Sequence, residues 1–549
     1  MFKSLNAKCK FTCTVSGFRQ RRAIPNCITL YIVLFAVLGM FMPVQAMIYR
    51  PEKGAMWDPS VIYHDGKYYA FMMYNKDGQE GLKAKHCLVA SLTDGVHGKD
   101  EGIVNEERES TRECRFFKGF VARCGDNFIM DHRVAWSEGQ DTLRFYQSSD
   151  LKNWNYLFSS HPDPRWYVAS GRRGHMYIIP KEQGAPQAGY WGYSVATPKP
   201  HLSRAPGMTQ SPNGTDWEIL PPAEMKWGDT PERDLEHGGS ERIGDKYYLI
   251  GGAGEYVSKG YSMYTLVGDA PCGPFRPDIE TYRLCGTTSK TVTWLAAWAR
   301  ARDELLVSNY ASFSSDKGRP SMLPLRKPVV DKDGHLRLGW WKGNDALKGK
   351  SLTLEKNTIE SNRRGKKSHY QIVYLTEAFD VHKGVMLEER IKARLGAAQG
   401  DFNDKASKAK PAAGFVFEEG PKKSVAIQLD IGQPENRETN IGTLQTTAER
   451  KMQFQSEGVI GKGCATVTGI ENGKEHRFRP LVRRGMFELY IDDMLMQTYV
   501  YKPASGKVGF VVHNASVVFS MCKPGTCLFD FLQSSFKVLD ATHEGEKYA

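Results

Sequence analysis

From Met47 to about Lys348, apolar residues come in short runs broken by Gly, Asp and Asn, with little 3.6-residue periodicity. That texture predicts short strands joined by tight turns rather than helices. Two segments read alike. Trp57-Asp58-Pro59-Ser60-Val61-Ile62-Tyr63-His64 leads through Asp65-Gly66 into Lys67-Tyr68-Tyr69. Glu236-His237-Gly238-Gly239-Ser240-Glu241-Arg242-Ile243 leads through Gly244-Asp245 into Lys246-Tyr247-Tyr248. Each is a strand opening near a carboxylate, a two-residue turn and a second strand, which is a hairpin pattern. Weaker copies run over Phe128 to Tyr146, Gly174 to Tyr193 and Thr293 to Tyr310. Ser149-Asp150-Leu151-Lys152-Asn153-Trp154 is echoed by Ser211-Pro212-Asn213-Gly214-Thr215-Asp216-Trp217. Five hairpin starts over roughly 300 residues give about 60 residues per unit, the size of a four-stranded propeller blade with generous loops. The fold class expected is all-β, beginning with a five-bladed β-propeller.

Near Leu352 the pattern changes. Arg363-Arg364-Gly365-Lys366-Lys367 marks an exposed turn, and strictly alternating strands follow, among them Gly414 to Phe417, Val425 to Asp430, Phe487 to Asp493 and Gly506 to Val512. Strict alternation with turns every ten residues or so predicts a two-sheet, concanavalin-like β-sandwich. The division expected is 1–46 a signal peptide, 47–348 the propeller, 349–530 the sandwich and 531–549 a tail.

Composition supports a folded chain: of 549 residues, 41% are apolar and 25% charged. The 53 Gly and 27 Pro follow no triplet, which excludes collagen and suits a turn-rich fold. A net charge of +12 invites nucleic acid as a partner, but much of it sits at the N-terminus. Residues 1–46 hold six Lys and Arg, no Asp or Glu, a 16-residue apolar run from Cys27 to Met42, and Val44-Gln45-Ala46 at the end. This is the layout of a secretory signal cleaved after Ala46, placing the protein outside the cytoplasm or in the periplasm. A membrane association follows only if the signal is retained as an anchor. Cleavage leaves 68 basic against 62 acidic residues, a charge of +6. No zinc-finger spacing, RNA-binding motif, phosphate-binding loop or Gly-x-Ser-x-Gly elbow accompanies that charge, so nucleic acid is not an expected partner. Eight Cys remain, with Cys272/Cys285, Cys522/Cys527 and Cys114/Cys124 close enough in sequence to pair. Spacing leaves the connectivity open. Asn213 and Asn514 head glycosylation sequons.

The Trp-Asp-Pro-Ser-Val opening, the Asp-Gly-Lys-Tyr-Tyr turn, Ser-Asp-Leu-Lys-Asn-Trp, Glu236 before a second hairpin and the sandwich occur in that order. Together they resemble the five-bladed propeller glycoside hydrolases of families 32 and 43. The resemblance spans nearly all of 47–530. It implies Asp58 as the first-blade carboxylate, a nucleophile in one family and a general base in the other, and Glu236 as the fourth-blade acid. Such a pair suits the reaction, since glycosidic cleavage needs one acid to protonate the leaving oxygen and one carboxylate to attack or to activate water. Bland alternatives are a turn role for Asp58 before Pro59 and a solvated acid at Glu236; Glu241 is the rival within that strand. The families carry a third carboxylate on blade three, within Arg-Asp-Pro. At that place stands Arg172-Arg173-Gly174-His175, with Gly174 where the carboxylate belongs. Asp163 and Asp131 are the candidate substitutes.

Substrate-binding candidates are Trp57 and Trp294, whose faces would stack on sugar rings, Arg172 and Arg173, which would favour an anionic glycan, and His175 and His237. With His132, those histidines start successive inner strands and could ring the funnel, but hydrogen bonding to sugar is preferred to a metal site. No cofactor is required, and a structural calcium ion in the propeller channel is compatible with the resemblance. The function expected is a secreted glycosidase acting on a poly- or oligosaccharide. The rivals are a non-catalytic carbohydrate-binding propeller and a glycoside phosphorylase.

Overall fold

The structure is a computed structural model that describes residues 45–46 and 49–530. Within these it omits 77–85, 105–114, 136–140, 183–186, 201–204, 255–260, 279–282, 286–290, 294–296, 314–319, 349–350, 353–357, 361–369, 379–384, 395–410, 421–422, 433–438, 447–451, 461–469, 484–485, 501–506, 514 and 521–527. The apolar run 27–42, the tail 531–549, Trp294 and Asn514 therefore lie outside the described residues. No helix among the described residues is long and apolar enough to cross a membrane.

Alternating and continuous apolar runs have become five antiparallel blades. The first comprises Ala55–His64, Lys67–Asn75, His86–Leu92 and His97–Ile103, with Gln45–Ala46 pairing at its outer edge. The second comprises Arg115–Cys124, Asn127–Ala135, Asp141–Ser148 and Asn155–Ser160. Arg173–Pro180, Tyr190–Ala196, Ala205–Ser211 and Glu218–Ile219 form the third, and Glu236–Ile243, Lys246–Gly254, Tyr261–Gly268 and Arg276–Pro277 the fourth. The fifth is Ala297–Ala301, Glu304–Ser308, Arg326–Val330 and Leu336–Trp340. The first strands of the blades contact one another in cyclic order, first to second and on to the fifth, which returns to the first. These five are the inner strands of a propeller.

Blade two corrects the sequence reading. Its inner strand is Arg115–Cys124, so Phe128, Asp131 and His132 belong to the second strand. The turn Gly125-Asp126 matches Gly244-Asp245 of blade four and carried the signal for the hairpin start. In blade one, Asp65 and Gly66 both take positive φ, 46° and 79°, as a two-residue turn matched to strand twist requires.

Successive blades bury apolar residues on both faces of their strands. Phe71 turns toward Ile62, Phe128, Met130 and Trp154, while Ala70 and Met72 turn into the main core with Tyr68. Beyond the fifth blade, Gly339 pairs with Met494, so that sheet continues into one layer of the sandwich. The facing layer contains Tyr370–Ala378, Lys507–His513, Ala412–Gly420, Lys423–Gly432, Thr439–Thr446 and Met452–Ile460. Phe415, Phe417, Ile427 and Phe510 from this layer meet Phe478, Phe487 and Leu489 from the other. Propeller and sandwich are joined by the Arg326–Glu488 ion pair, with both side chains fully buried. Cys87, Cys124 and Cys272 are free thiols, while Cys114, Cys522 and Cys527 lie outside the described residues.

Candidate active site

Four inner strands carry a β-bulge near the start: between Trp57 and Ser60, Lys118 and Val121, Arg173 and Met176, and His237 and Ser240. A bulge bends the strand and re-aims its side chains. Setting the bulges in register aligns Asp58 with Gly119, Gly174 and Gly238. Asp58 alone supplies a carboxylate there. It adopts φ 47°, a left-handed conformation uncommon for a non-glycine residue, which is held only where the surroundings determine it.

Each seam between blades is pinned at this level by a side chain. Val121 N–H donates to Ser60 Oγ at 3.2 Å, joining blades one and two. The buried Asp131 carboxylate accepts from Phe120 N at 2.9 Å and Met176 N at 2.9 Å, tying the bulges of blades two and three. His175 Nε2 lies 3.0 Å from the His237 carbonyl, between blades three and four. Trp298 Nε1 donates to Gly239 O at 3.0 Å, and Ser308 Oγ donates to Pro59 O at 3.1 Å, which joins blade five to the residue after Asp58. The openings of the inner strands are therefore held at one level around the ring, and Asp58 sits in a preorganised backbone.

Glu236 opens the fourth inner strand and is half-buried. Arg172, just ahead of the third, places Nη1 2.6 Å from its Oε1, with side-chain exposures of 32% and 27% for Arg172 and Glu236. A partly solvated carboxylate and guanidinium thus meet at the mouth. Arg173, the first residue of the strand, is engaged elsewhere. It is 4% exposed and donates to His161 O at 2.5 Å and Ser160 Oγ at 2.9 Å, so its assignment to substrate is corrected to a seam anchor. Burial brings its pKa down to about 10.

The other candidates divide by burial. His237 is fully buried, which lowers its pKa to about 4 although the Glu236 charge pulls the other way, and its imidazole is out of reach of a ligand. His175 is buried edge-on against Phe120. His132 lies under Tyr146 on a second strand, so the three histidines form no ring. Among the described residues no group of three or more His, Cys, Asp and Glu could hold a metal ion. Trp57 is partly buried against the main core.

Asp163 is corrected to a turn residue. It accepts from Arg165 Nη2 at 2.7 Å and from Arg165 N at 2.9 Å, and its carbonyl accepts from Tyr167 N. Glu241 is fully buried, accepting from Tyr177 Oη at 2.7 Å and from the Arg300 guanidinium. Burial raises its pKa against the pull of Arg300, and it braces blades three, four and five. At Gly174 a Cβ would lie 2.9 Å from Val195 Cβ. The neighbouring strand thus packs close against this glycine. Arg172 as the partner of Glu236 and Asp131 as a bulge clamp are what the sequence alone did not reveal.

The architecture defines a class, the five-bladed β-propeller with a C-terminal β-sandwich. Solved structures of that kind superpose over nearly the whole chain. The Bombyx mori GH32 beta-fructofuranosidase matches at TM-score 0.58 and 12% identity, covering 92% of this chain and 98% of its own. The sucrose-6-phosphate hydrolase from Lactobacillus gasseri gives 0.60 and 13%, covering 93% and 97%, and the exo-inulinase from Aspergillus awamori 0.60 and 12%, covering 90% and 98%. No family model and no curated protein sequence matches the chain.

Proposed function

We propose that this chain is a glycosidase that hydrolyses O-glycosidic bonds, with Asp58 and Glu236 as its carboxylate pair. The observation that carries this reading is Asp58, held at φ 47° in the only one of four aligned bulges that bears a carboxylate there. A fold shared with fructofuranosidases, a sucrose-6-phosphate hydrolase and an inulinase supports it. Asp58 attacks the anomeric carbon or activates water on one side of the sugar, and Glu236 donates the proton to the leaving oxygen. Arg172 now holds Glu236 Oε1, so substrate entry exchanges that contact for one with the leaving group. Arg172 then lies free to meet a negatively charged group, which favours a furanoside or related glycan carrying an acidic substituent. No cofactor enters this chemistry. The chain is exported by the leader at 1–46, and N-terminal sequencing of the exported protein should begin at Met47.

A panel of plant and marine poly- and oligosaccharides, read by product sizing, identifies the substrate. Asp58→Asn and Glu236→Gln should each abolish turnover in a folded protein; full activity in either refutes the pair. The space taken by Val195 at Gly174 favours a second reading, a carbohydrate-binding propeller without catalysis. Saturable glycan binding with no turnover across the panel would select it.

A further inference from the structure

A cleft of about 300 Å³ opens between blades one and two, lined by outer residues of the first blade and the turn that precedes the last strand of the second. Its apolar lining is Val89, Ile103, Val104 and Leu151, and Tyr69 adds an aromatic ring. Lys67 and Lys152 stand at its rim, and neither ammonium is in an ion pair among the described residues. The lining carries one carboxylate, Glu101, whose Oε1 accepts from Ser91 Oγ at 2.5 Å.

The turn presenting Lys152 is rigid. Asp150 Oδ1 accepts from Lys152 N at 2.9 Å and Asn153 N at 2.8 Å, and Trp154 Nε1 donates to Leu151 O at 3.1 Å. The same bonds recur in the blade-three turn, where Asn213 Oδ1 accepts from Thr215 N and Asp216 N, and Trp217 Nε1 donates to Gly214 O. There the left-handed position is Gly214 at φ 86°, whereas blade two places Leu151 at φ 62°. A leucine in that conformation costs on the order of 1 kcal/mol. Its side chain forms cleft wall, and the next residue supplies a cation.

We propose that this cleft binds one acidic sugar unit of a glycan, a uronate or sulfated residue, at a site separate from the propeller mouth. Its volume is at the lower end for small-ligand sites. The apolar C–H face of a pyranose packs on Tyr69 and the Ile103–Leu151 wall. Lys67 and Lys152 take the acidic group through charge-assisted hydrogen bonds, and the exposed Glu101 carboxylate accepts from ring hydroxyls. Asp65 and Glu101 both place negative charge near Tyr69, so the preference for anions over neutral sugars comes from direct contact with the Lys67 and Lys152 ammoniums rather than from the overall charge of the cleft. The inference does not rest on the glycosidase reading, because it concerns binding at different residues.

The test is calorimetric titration of the full chain with trigalacturonate, the uncharged trisaccharide maltotriose and inorganic phosphate, at low and at physiological ionic strength. Saturable binding of trigalacturonate is expected, stronger than that of either comparator and weaker at higher salt. Lys67→Ala, Lys152→Ala and Tyr69→Ala should each weaken one binding component by roughly tenfold, a component that persists in Arg172→Ala and Glu236→Gln whether or not the propeller mouth also binds the sugar. Absence of binding, equal affinity for maltotriose or phosphate, or loss through Arg172→Ala alone overturns the proposal. Turnover does not enter the readout, so loss of the catalytic reading would leave this result standing.

Discussion

Removing the Glu488 carboxylate should destabilise the propeller–sandwich junction far more than an ordinary substitution does. Glu488 and Arg326 are each fully buried, and the Arg326 guanidinium donates to both Glu488 Oε1 and Asn309 Oδ1. Tyr490 Oη at 3.0 Å and Thr498 Oγ1 at 3.1 Å also donate to the Glu488 carboxylate. Glu488→Ala leaves a buried guanidinium without its counter-charge, which costs about 3 to 5 kcal/mol. The two hydroxyls lose their acceptor as well, at about 1 to 3 kcal/mol each where no water replaces it. Against domain stabilities of about 5 to 15 kcal/mol the loss is large. Adding Arg326→Met removes the uncompensated charge, so the double variant should be more stable than Glu488→Ala, with a coupling of at least about 2 kcal/mol. Scanning calorimetry and urea unfolding followed by tryptophan emission measure Glu488→Ala, Arg326→Met and the double variant. A loss below about 1 kcal/mol for Glu488→Ala, or a double variant whose loss is the sum of the singles, would refute the electrostatic account.

Acid should unfold the protein partly through His237. Its pKa is about 4 when folded against an ordinary value near 6.5, so the unfolded chain binds its proton first as pH falls between those values. That window removes up to about 3 kcal/mol; in His237→Leu the decline should be smaller, and equal pH slopes would contradict the assignment. Glu388 acts in the same direction at lower pH. Burial pushes its carboxyl up, but the hydrogen bond and charge of Arg479, then those of Lys348, outweigh it and bring the pKa down to about 2. Its contribution is present above pH 4.5 and fades toward pH 2, and Glu388→Gln should flatten that part of an acid titration followed by circular dichroism. Gly174→Asp should cost about 1 to 3 kcal/mol in thermal unfolding, because its Cβ meets Val195 at 2.9 Å. Only Val195→Gly removes the Cβ that is met, so the Gly174→Asp/Val195→Gly pair should be less unstable than the sum of the two single losses; strict additivity would show that the strain lies elsewhere.

What could be read from the sequence was local. Asp65-Gly66 and Gly244-Asp245 between alternating runs mark hairpins, and their repetition marks blades, because turn chemistry and side-chain period act over a few residues. Asp58 and Glu236 stood out for the same reason, each at the opening of such a strand. The inner strand 115–124 is harder to see because it carries no Asp or Glu, although Gly125-Asp126 repeats the blade-four turn. Choosing between Arg172 and Arg173 needed more: Arg172 stands just ahead of the strand and reaches Glu236, whereas Arg173 opens the strand and is buried against Ser160 and His161. Asp131 was equally opaque. Its two partners, Phe120 and Met176, are 11 and 45 residues away and are brought together only by the seam. Gly174 shows the limit most clearly. From the sequence it was a missing carboxylate, with Asp163 as one possible replacement; in the fold Val195 from the next strand fills the space and Asp163 is occupied by Arg165. Blade three therefore offers a cation, Arg172, to Glu236, where the resemblance read from the sequence implies an acid. Under the proposed glycosidase reading, Glu236 would have to exchange its contact with Arg172 for one with the leaving group, and the charge of the substrate would become the variable that decides whether that exchange is favourable.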